Sequence, residues 1–180
     1  MGWRCNDYQT LLNVGDLQLS VVTVPTVTQS ISLVQGWNLI SFNVVPTDSS
    51  IATVFGTVMP SLSEIKTADA FYSPSNNLAV FNSLKSIEQG KGYLVNMKAS
   101  ATLTLKGTQS AFTAAKQLNA MKTGWNLVGC IYPSSTPIVT AFDITKISSV
   151  KNFSGFYNSN GTANSLTNVI PSMGYFVKKN

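Results

Sequence analysis

The sequence predicts a mainly β fold: two pseudo-symmetric β-rich repeats, sandwich- or barrel-like around a shared core, with one short helix per repeat. Three observations predict it. A phrase recurs, Gly-Trp-Asn-Leu-Ile at 36–40 and Gly-Trp-Asn-Leu-Val at 124–128, using two of three tryptophans. Further landmarks recur in the same order. Trp37 to Trp125 is an offset of 88 residues, Ile51 to Ile138 is 87, Phe71-Tyr72 to Phe156-Tyr157 is 85, and Gly92-Tyr93 to Gly174-Tyr175 is 82. An offset that only shrinks is what loop deletions in a second copy produce. Finally, apolar residues alternate in short runs between turn-forming clusters, the pattern of half-buried strands.

Taken in order, residues 1–15 read as a leader or added segment without the apolar stretch of an intact signal peptide. The chain is therefore either intracellular or a piece of a longer secreted protein. Repeat A is placed at 16–98 and repeat B at 101–180, each opened by an alternating strand, "DLQLSVV" at 16–22 and "ATLTLKG" at 101–107. Alternatively, 16–22 completes repeat B in space. Stretches near 23–30 and 107–118, rich in Thr, Ser, Gln and Ala, read as linkers. The strand after Trp37 points Ile40, Phe42 and Val44 to one face, and its counterpart points Val128, Cys130 and Tyr132. Cys130 thus takes the slot of Phe42, as a small buried hydrophobe. Helical spacing of Ile51, Val54, Phe55, Val58 and Leu62 predicts a helix capped by Asp48, Ser49 or Ser50 and limited by Pro60. Its counterpart is "PIVTAFDI", with Pro137 in the first turn. A strand ending in Phe-Tyr, a polar turn ("SPSNN" or "NSNG"), a short strand and the Gly-Tyr strand complete each repeat.

Composition narrows the function. Only 11% of residues are charged against 44% hydrophobic, so the surface is coated with hydroxyls and amides. The net charge is +5, but the lysines are scattered and Arg4 is the one arginine, which is no nucleic-acid footprint. Histidine is absent, which removes the commonest general base, the usual triads and most zinc sites. The two cysteines, Cys5 and Cys130, cannot build a cysteine-rich metal site. No stretch approaches the ~18 apolar residues of a membrane span. Asp48, Glu64, Asp69 and Glu88 in repeat A share no position with Asp143 in repeat B, so no paired-carboxylate motif recurs. "QGKGY" at 89–93 lacks the Ser/Thr and helix that a phosphate loop requires and reads as a tight turn. Asn152-Phe-Ser154 and Asn160-Gly-Thr162 match glycosylation sequons, relevant only in a eukaryotic secretory host.

No catalytic residue, metal ligand or cofactor site is predicted. Trp37 and Trp125 read as covers over the strand ends, with sugar stacking as the alternative. The predicted ligand residues are Phe71, Tyr72, Asn76 and Asn77 in repeat A, with Phe156, Tyr157, Asn158 and Asn160 in repeat B. In each Phe-Tyr pair one ring points inward and the other outward. An aromatic beside amides supplies stacking and uncharged hydrogen bonding, which is what a neutral polyol requires.

"QGWNLISFNVVPTDSSIATVF", "SLKSIEQGKGYLV" and "TLTLKG" together resemble a duplicated β-rich module of large secreted bacterial proteins, with phrases like GWNLIS and GKGYWV. The likeness spans nearly all of 30–180; repeat B departs from it with Val-Gly-Cys for Ile-Ser-Phe and no Gly-Lys before Gly174. The resemblance implies a secreted or cell-surface, carbohydrate-binding accessory module of the kind appended to surface, adhesive or polysaccharide-degrading proteins, and it transfers no catalytic residue. The expected partner is a polysaccharide or other glycan; a structural or adhesive spacer that meets a protein partner or self-associates is the alternative.

Overall fold

The computed structural model describes residues 25–76 and 78–180. The 1–15 segment, Cys5, the 16–22 strand and Asn77 therefore lie outside the described residues. In chain order the elements are β1 (Thr26–Leu33), β2 (Gly36–Ser41), β3 (Val44–Val45), α1 (Ile51–Val54), β4 (Leu62–Lys66), β5 (Phe71–Tyr72), β6 (Gly92–Met97) and β7 (Ala101–Gln109). There follow α2 (Ala114–Ala120), β8 (Gly124–Gly129), β9 (Thr136–Pro137), α3 (Ile138–Ala141), β10 (Ile147–Lys151), β11 (Phe156–Asn158), β12 (Asn168–Val169) and β13 (Gly174–Lys179). Short 3-10 turns span Gly56–Ser61 and Ala79–Phe81. The fold is mainly β, as predicted, and among the described residues every strand pairing is antiparallel.

Each repeat contains its own four-stranded sheet, ordered β2-β6-β4-β5 in the first and β8-β13-β10-β11 in the second. In each, the inward face carries the apolar set. Ile40, Tyr93, Val95 and Ile65 are buried in the first; Val128, Tyr175, Val177 and Val150 are buried in the second. Burying one such side chain stabilises by ~1.5–3 kcal/mol. The Gly-Tyr strands owe their tyrosines to a further anchor. The Tyr93 hydroxyl accepts from the Glu88 N–H at 2.6 Å, and the Tyr175 hydroxyl accepts from the Ile170 N–H at 2.7 Å.

Three expectations are corrected. The single shared core is two cores, one per repeat. The inward face of each four-stranded sheet packs within its own cluster of buried residues, so the repeats meet through other surfaces. Second, β7, which the sequence assigns to the opening of repeat B, pairs with β1 and β3 and buries Leu103 and Leu105 in the first core. The β1-β7-β3 sheet and the four-stranded sheet thus make a sandwich. Third, both supposed linkers are structured. Residues 26–33 are β1, whose Thr and Ser side chains face outward, while 114–120 form α2, capped by the Thr113 hydroxyl. Repeat B therefore has two helices.

The helix of repeat A is shorter than its apolar spacing suggests. α1 stops at Val54, because β-branched Thr53 and Val54, then Gly56 and Pro60, disfavour further α turns. The chain continues as a 3-10 turn, and Ile51, Val54, Phe55, Val58 and Leu62 are all buried. Ser50 is the capping residue: its Oγ accepts from the Thr53 N–H. Asp48 supports it from outside, accepting from the Ser50 N–H at 2.8 Å. Pro137 sits one place earlier than predicted, at the cap of α3. Cys130 does occupy the position of Phe42, buried in the second core as Phe42 is in the first.

Candidate functional site

The duplicated phrase builds a turn before it builds a strand. Gly36 and Gly124 have φ of 88° and 94°, a left-handed conformation that glycine adopts without a Cβ clash. The next-but-one asparagine ties the turn shut. Asn38 Oδ1 accepts from the Val34 N–H at 2.9 Å, and its Nδ2 donates to the Val34 and Gly36 carbonyls at 2.8 and 3.0 Å. Asn126 repeats this on Lys122 and Gly124 at 2.8, 2.7 and 2.9 Å. With Asn38 and Ile40 turned inward, strand alternation sends the indole out. Trp37 is 41% exposed and Trp125 is 50% exposed, so the rings stand out from the sheets instead of closing over the strand ends. Lys66 Nζ lies 5.2 Å from the Trp37 ring centroid and Lys151 Nζ lies 5.0 Å from that of Trp125. One face of each indole is thus steadied by a cation–π contact.

The repeats meet where β2 and β8 end, and their contacts are reciprocal. Ile40 bridges to Met173, and its counterpart Val128 bridges to Lys91, the counterpart of Met173. The Ser41 N–H donates to the Ser172 carbonyl and the Gly129 N–H to the Gly90 carbonyl, both at 2.9 Å. A Cβ on Gly92 would lie 2.7 Å from the Val128 oxygen, and one on Gly174 would lie 2.8 Å from the Ile40 oxygen. Glycine at these two places lets the backbones touch. Reciprocity of this kind is the mark of a two-fold relation. At its centre residues 41 and 129 face each other. A Cβ on Gly129 would fall 2.6 Å from the Ser41 Cβ, so there is room for one side chain only. This accounts for Val-Gly-Cys in repeat B where repeat A has Ile-Ser-Phe. The Ser41 hydroxyl uses the space, donating to the Met173 carbonyl at 2.7 Å and accepting from the Cys130 N–H at 3.0 Å.

Two buried glutamines lock this junction. Gln29 Nε2 donates to the Ser41 carbonyl at 3.0 Å and to Ser172 Oγ at 2.9 Å. Gln117 Nε2 donates to the Gly129 carbonyl at 2.7 Å and the Gly90 carbonyl at 2.9 Å. They are 88 residues apart, the offset of the tryptophans, and that offset is the signal by which sequence reasoning could have found them.

The junction leaves two equivalent grooves. One, of about 400 Å³, runs between Trp37–Ile40 of repeat A and the 152–154 and 171–173 segments of repeat B. The other, of about 440 Å³, runs between Trp125–Val128 of repeat B and the 67–69 and 88–91 segments of repeat A. Their chemistry differs. No charged residue lines the Trp37 groove, which presents Ser30, Ser32, Asn152, Ser154 and the exposed Phe153. Ala68 stands in the place of Phe153 in the Trp125 groove, which also carries Asp69, Glu88, Lys91 and Lys122.

The predicted ligand residues lie elsewhere. Phe71 and Phe156 do point outward, at 40% and 44% exposed, while Tyr72 and Tyr157 turn in to pack on the two cores. One ring in and one out is as expected. Each phenylalanine sits on the opposite edge of its sheet from the tryptophan, three strands or about 14 Å away. Asn76 Nδ2 donates to Asn82 Oδ1 at 2.6 Å, and Asn158 Oδ1 accepts from the Asn160 N–H at 3.1 Å, so these amides brace their own turns. Asn160 itself is exposed. Asn82 and Ser83, with Asn164 and Ser165, hold the Phe-Tyr strands from behind: Ser83 Oγ and Ser165 Oγ each accept from the phenylalanine N–H at 3.0 Å.

The remaining polar chemistry is local. Thr53 and Ser50 donate to Asp48, and Thr145 donates to Asp143; these bonds hold both carboxyls below the usual range. Glu64 pairs with Lys66, Glu88 with Lys91, and Asp69 accepts from Thr67. Among the described residues no group of three or more His, Cys, Asp or Glu could hold a metal ion. Burial pushes the Cys130 thiol up. The turn before Gly92 is a tight one as predicted: Gly90 has φ 76°, and Ser172 in its place in repeat B has φ 71°. Among the described residues no helix is long and apolar enough to cross a membrane. Compared with known proteins, the chain matches no family model, no curated protein and no solved structure.

Proposed function

We propose that the chain is a non-catalytic accessory module of a secreted or surface bacterial protein, and that it binds neutral polysaccharide. The observation that carries this reading is the Trp37 groove. It sets two exposed aromatics, Trp37 and Phe153, among hydroxyls and amides, with no charged residue in its lining and Lys66 over one face of the indole. Stacking on a ring and uncharged hydrogen bonding suit a sugar face. The resemblance to modules of large secreted bacterial proteins supports the setting. Phe71 and Phe156, at the far sheet edges, offer outlying contacts to a longer chain.

Retention on a panel of insoluble glycans and affinity electrophoresis in soluble ones test the reading. Trp37→Ala and Phe153→Ala are each expected to weaken retention tenfold or more. Tyr72→Ala is expected to lower stability instead, because that ring faces the core. No retention of the unaltered protein on any glycan rejects the reading.

A structural or adhesive spacer is the second reading, and one feature favours it. Leu78, Val80 and Phe81 are all exposed in the loop between β5 and β6. Repeat B has Asn160, Thr162 and Ala163 at the corresponding places. Concentration-dependent self-association, measured by sedimentation and abolished by Phe81→Ser, would favour this alternative.

A further inference from the structure

We infer that the module is bivalent: its two grooves hold two separate glycan chains at once and so join them. The inference rests on the glycan-binding reading and extends it from one groove to both. Its basis is the two-fold relation. Ile40 with Met173 and Val128 with Lys91 are the same contact made twice, and each groove is walled by the same segments with the repeats exchanged. Residues 41 and 129 meet at the centre. Trp37 and Trp125 lie four residues before them on β2 and β8, so each indole stands up to ~13 Å from the centre along its strand.

A glycan chain has direction, with a reducing and a non-reducing end. A two-fold rotation reverses every direction that runs across its axis. A single straight chain passing from one groove to the other would therefore meet the second groove backwards. Each groove consequently takes its own chain. The junction between them is held by buried hydrogen bonds from Gln29, Gln117 and Ser41, so the spacing of the two sites is fixed. The sites are unequal. Phe153 strengthens the Trp37 groove, whereas the Trp125 groove has alanine in that place and carries Asp69, Glu88, Lys91 and Lys122 on its walls, which makes it the weaker site for a neutral chain.

The test uses the full chain with neutral hexasaccharides (cellohexaose, xylohexaose and mannohexaose) and their soluble parent polymers. Calorimetry and native mass spectrometry are expected to give two hexasaccharides per chain, with the weaker site lost in Trp125→Ala and the tighter one in Trp37→Ala. Both indoles are exposed, and circular dichroism checks that each variant folds. Light scattering with the parent polymer is expected to show joined chains for the unaltered protein. Each single variant should lose this while still binding one hexasaccharide. A ratio of one, with only Trp37→Ala impaired, overturns bivalency and leaves glycan binding standing. A ratio of two that neither variant changes overturns the assignment of both grooves. No binding of any hexasaccharide or polymer overturns this inference together with the reading beneath it.

Discussion

The segment 26–33 in repeat A and the segment 114–120 in repeat B occupy the same place, 88 residues apart, yet one is a strand and the other a helix. "TVTQSISL" is rich in β-branched residues and has β7 to pair with. "AAKQLNA" is made of strong helix formers behind a threonine cap, and no described strand pairs with it. The glutamine in the fourth position does the same job in both. Gln29 reaches the Ser41 carbonyl and Gln117 reaches the Gly129 carbonyl, which are themselves equivalent. The difference teaches that local propensity chose the element, while the junction needed only one amide donor delivered to one point.

The comparison can be broken hardest at the centre of the junction. Gly129→Ala places a Cβ 2.5 Å from the Lys91 oxygen and 2.6 Å from the Ser41 Cβ. Overpacking of this kind costs about 1–3 kcal/mol or somewhat more. Adding Ser41→Gly should return part of that loss, giving a positive coupling in a double-mutant cycle followed by urea unfolding. Independent, additive effects would mean that the two positions do not compete for space.

A smaller effect is expected from the glutamines. Gln29→Ala and Gln117→Ala each remove two side-chain hydrogen bonds at the junction, at about 1–3 kcal/mol. If strand and helix serve the junction equally, the two losses should agree within ~1 kcal/mol by the same measurement. A large loss for one and none for the other would confine the junction's stability to one repeat.

The gentlest test is alkaline titration of the paired anchors. Burial is the main reason the Tyr93 hydroxyl is raised above its ordinary range and the Tyr175 hydroxyl is pushed up to about 12. A raised folded-state value favours the neutral form in the folded protein. The stability it brings is complete below the unfolded tyrosine value of about 10 and drains away as pH rises above it. Tyr93→Phe and Tyr175→Phe should each flatten this alkaline decline, while losing about 1 kcal/mol at neutral pH through the missing acceptor.

Much of the fold was legible. The shrinking offset located both repeats, and the apolar spacing from Ile51 to Leu62 named residues that are indeed buried, although the backbone follows a 3-10 path for half of it. Turn chemistry at Gly90 and the core slot of Cys130 were also readable. β1 and α2 were hidden because a polar glutamine stands where each apolar face should continue. The outward indoles were hidden because glycine beside tryptophan suggests tight packing, whereas the glycine serves a left-handed turn and Asn38 takes the inward place. The grooves had no local signature at all. Each is assembled from segments that lie far apart in the chain, such as Trp37 and Phe153.

Ser41 and Gly129 illustrate what fusing two copies into one chain makes available. In a homodimer of identical subunits, one codon fills both seats at the axis. Two serines would collide there, and two glycines would leave no hydroxyl to stitch the edges together. A tandem duplication lets each seat mutate alone. One copy keeps the hydroxyl that joins the Met173 carbonyl to the Cys130 N–H, and the other gives up its side chain to make room. The same freedom reaches the groove walls, where phenylalanine lines one groove and alanine the other. Covalent linkage thus turns a constraint of symmetry into independent evolution of two neighbouring sites.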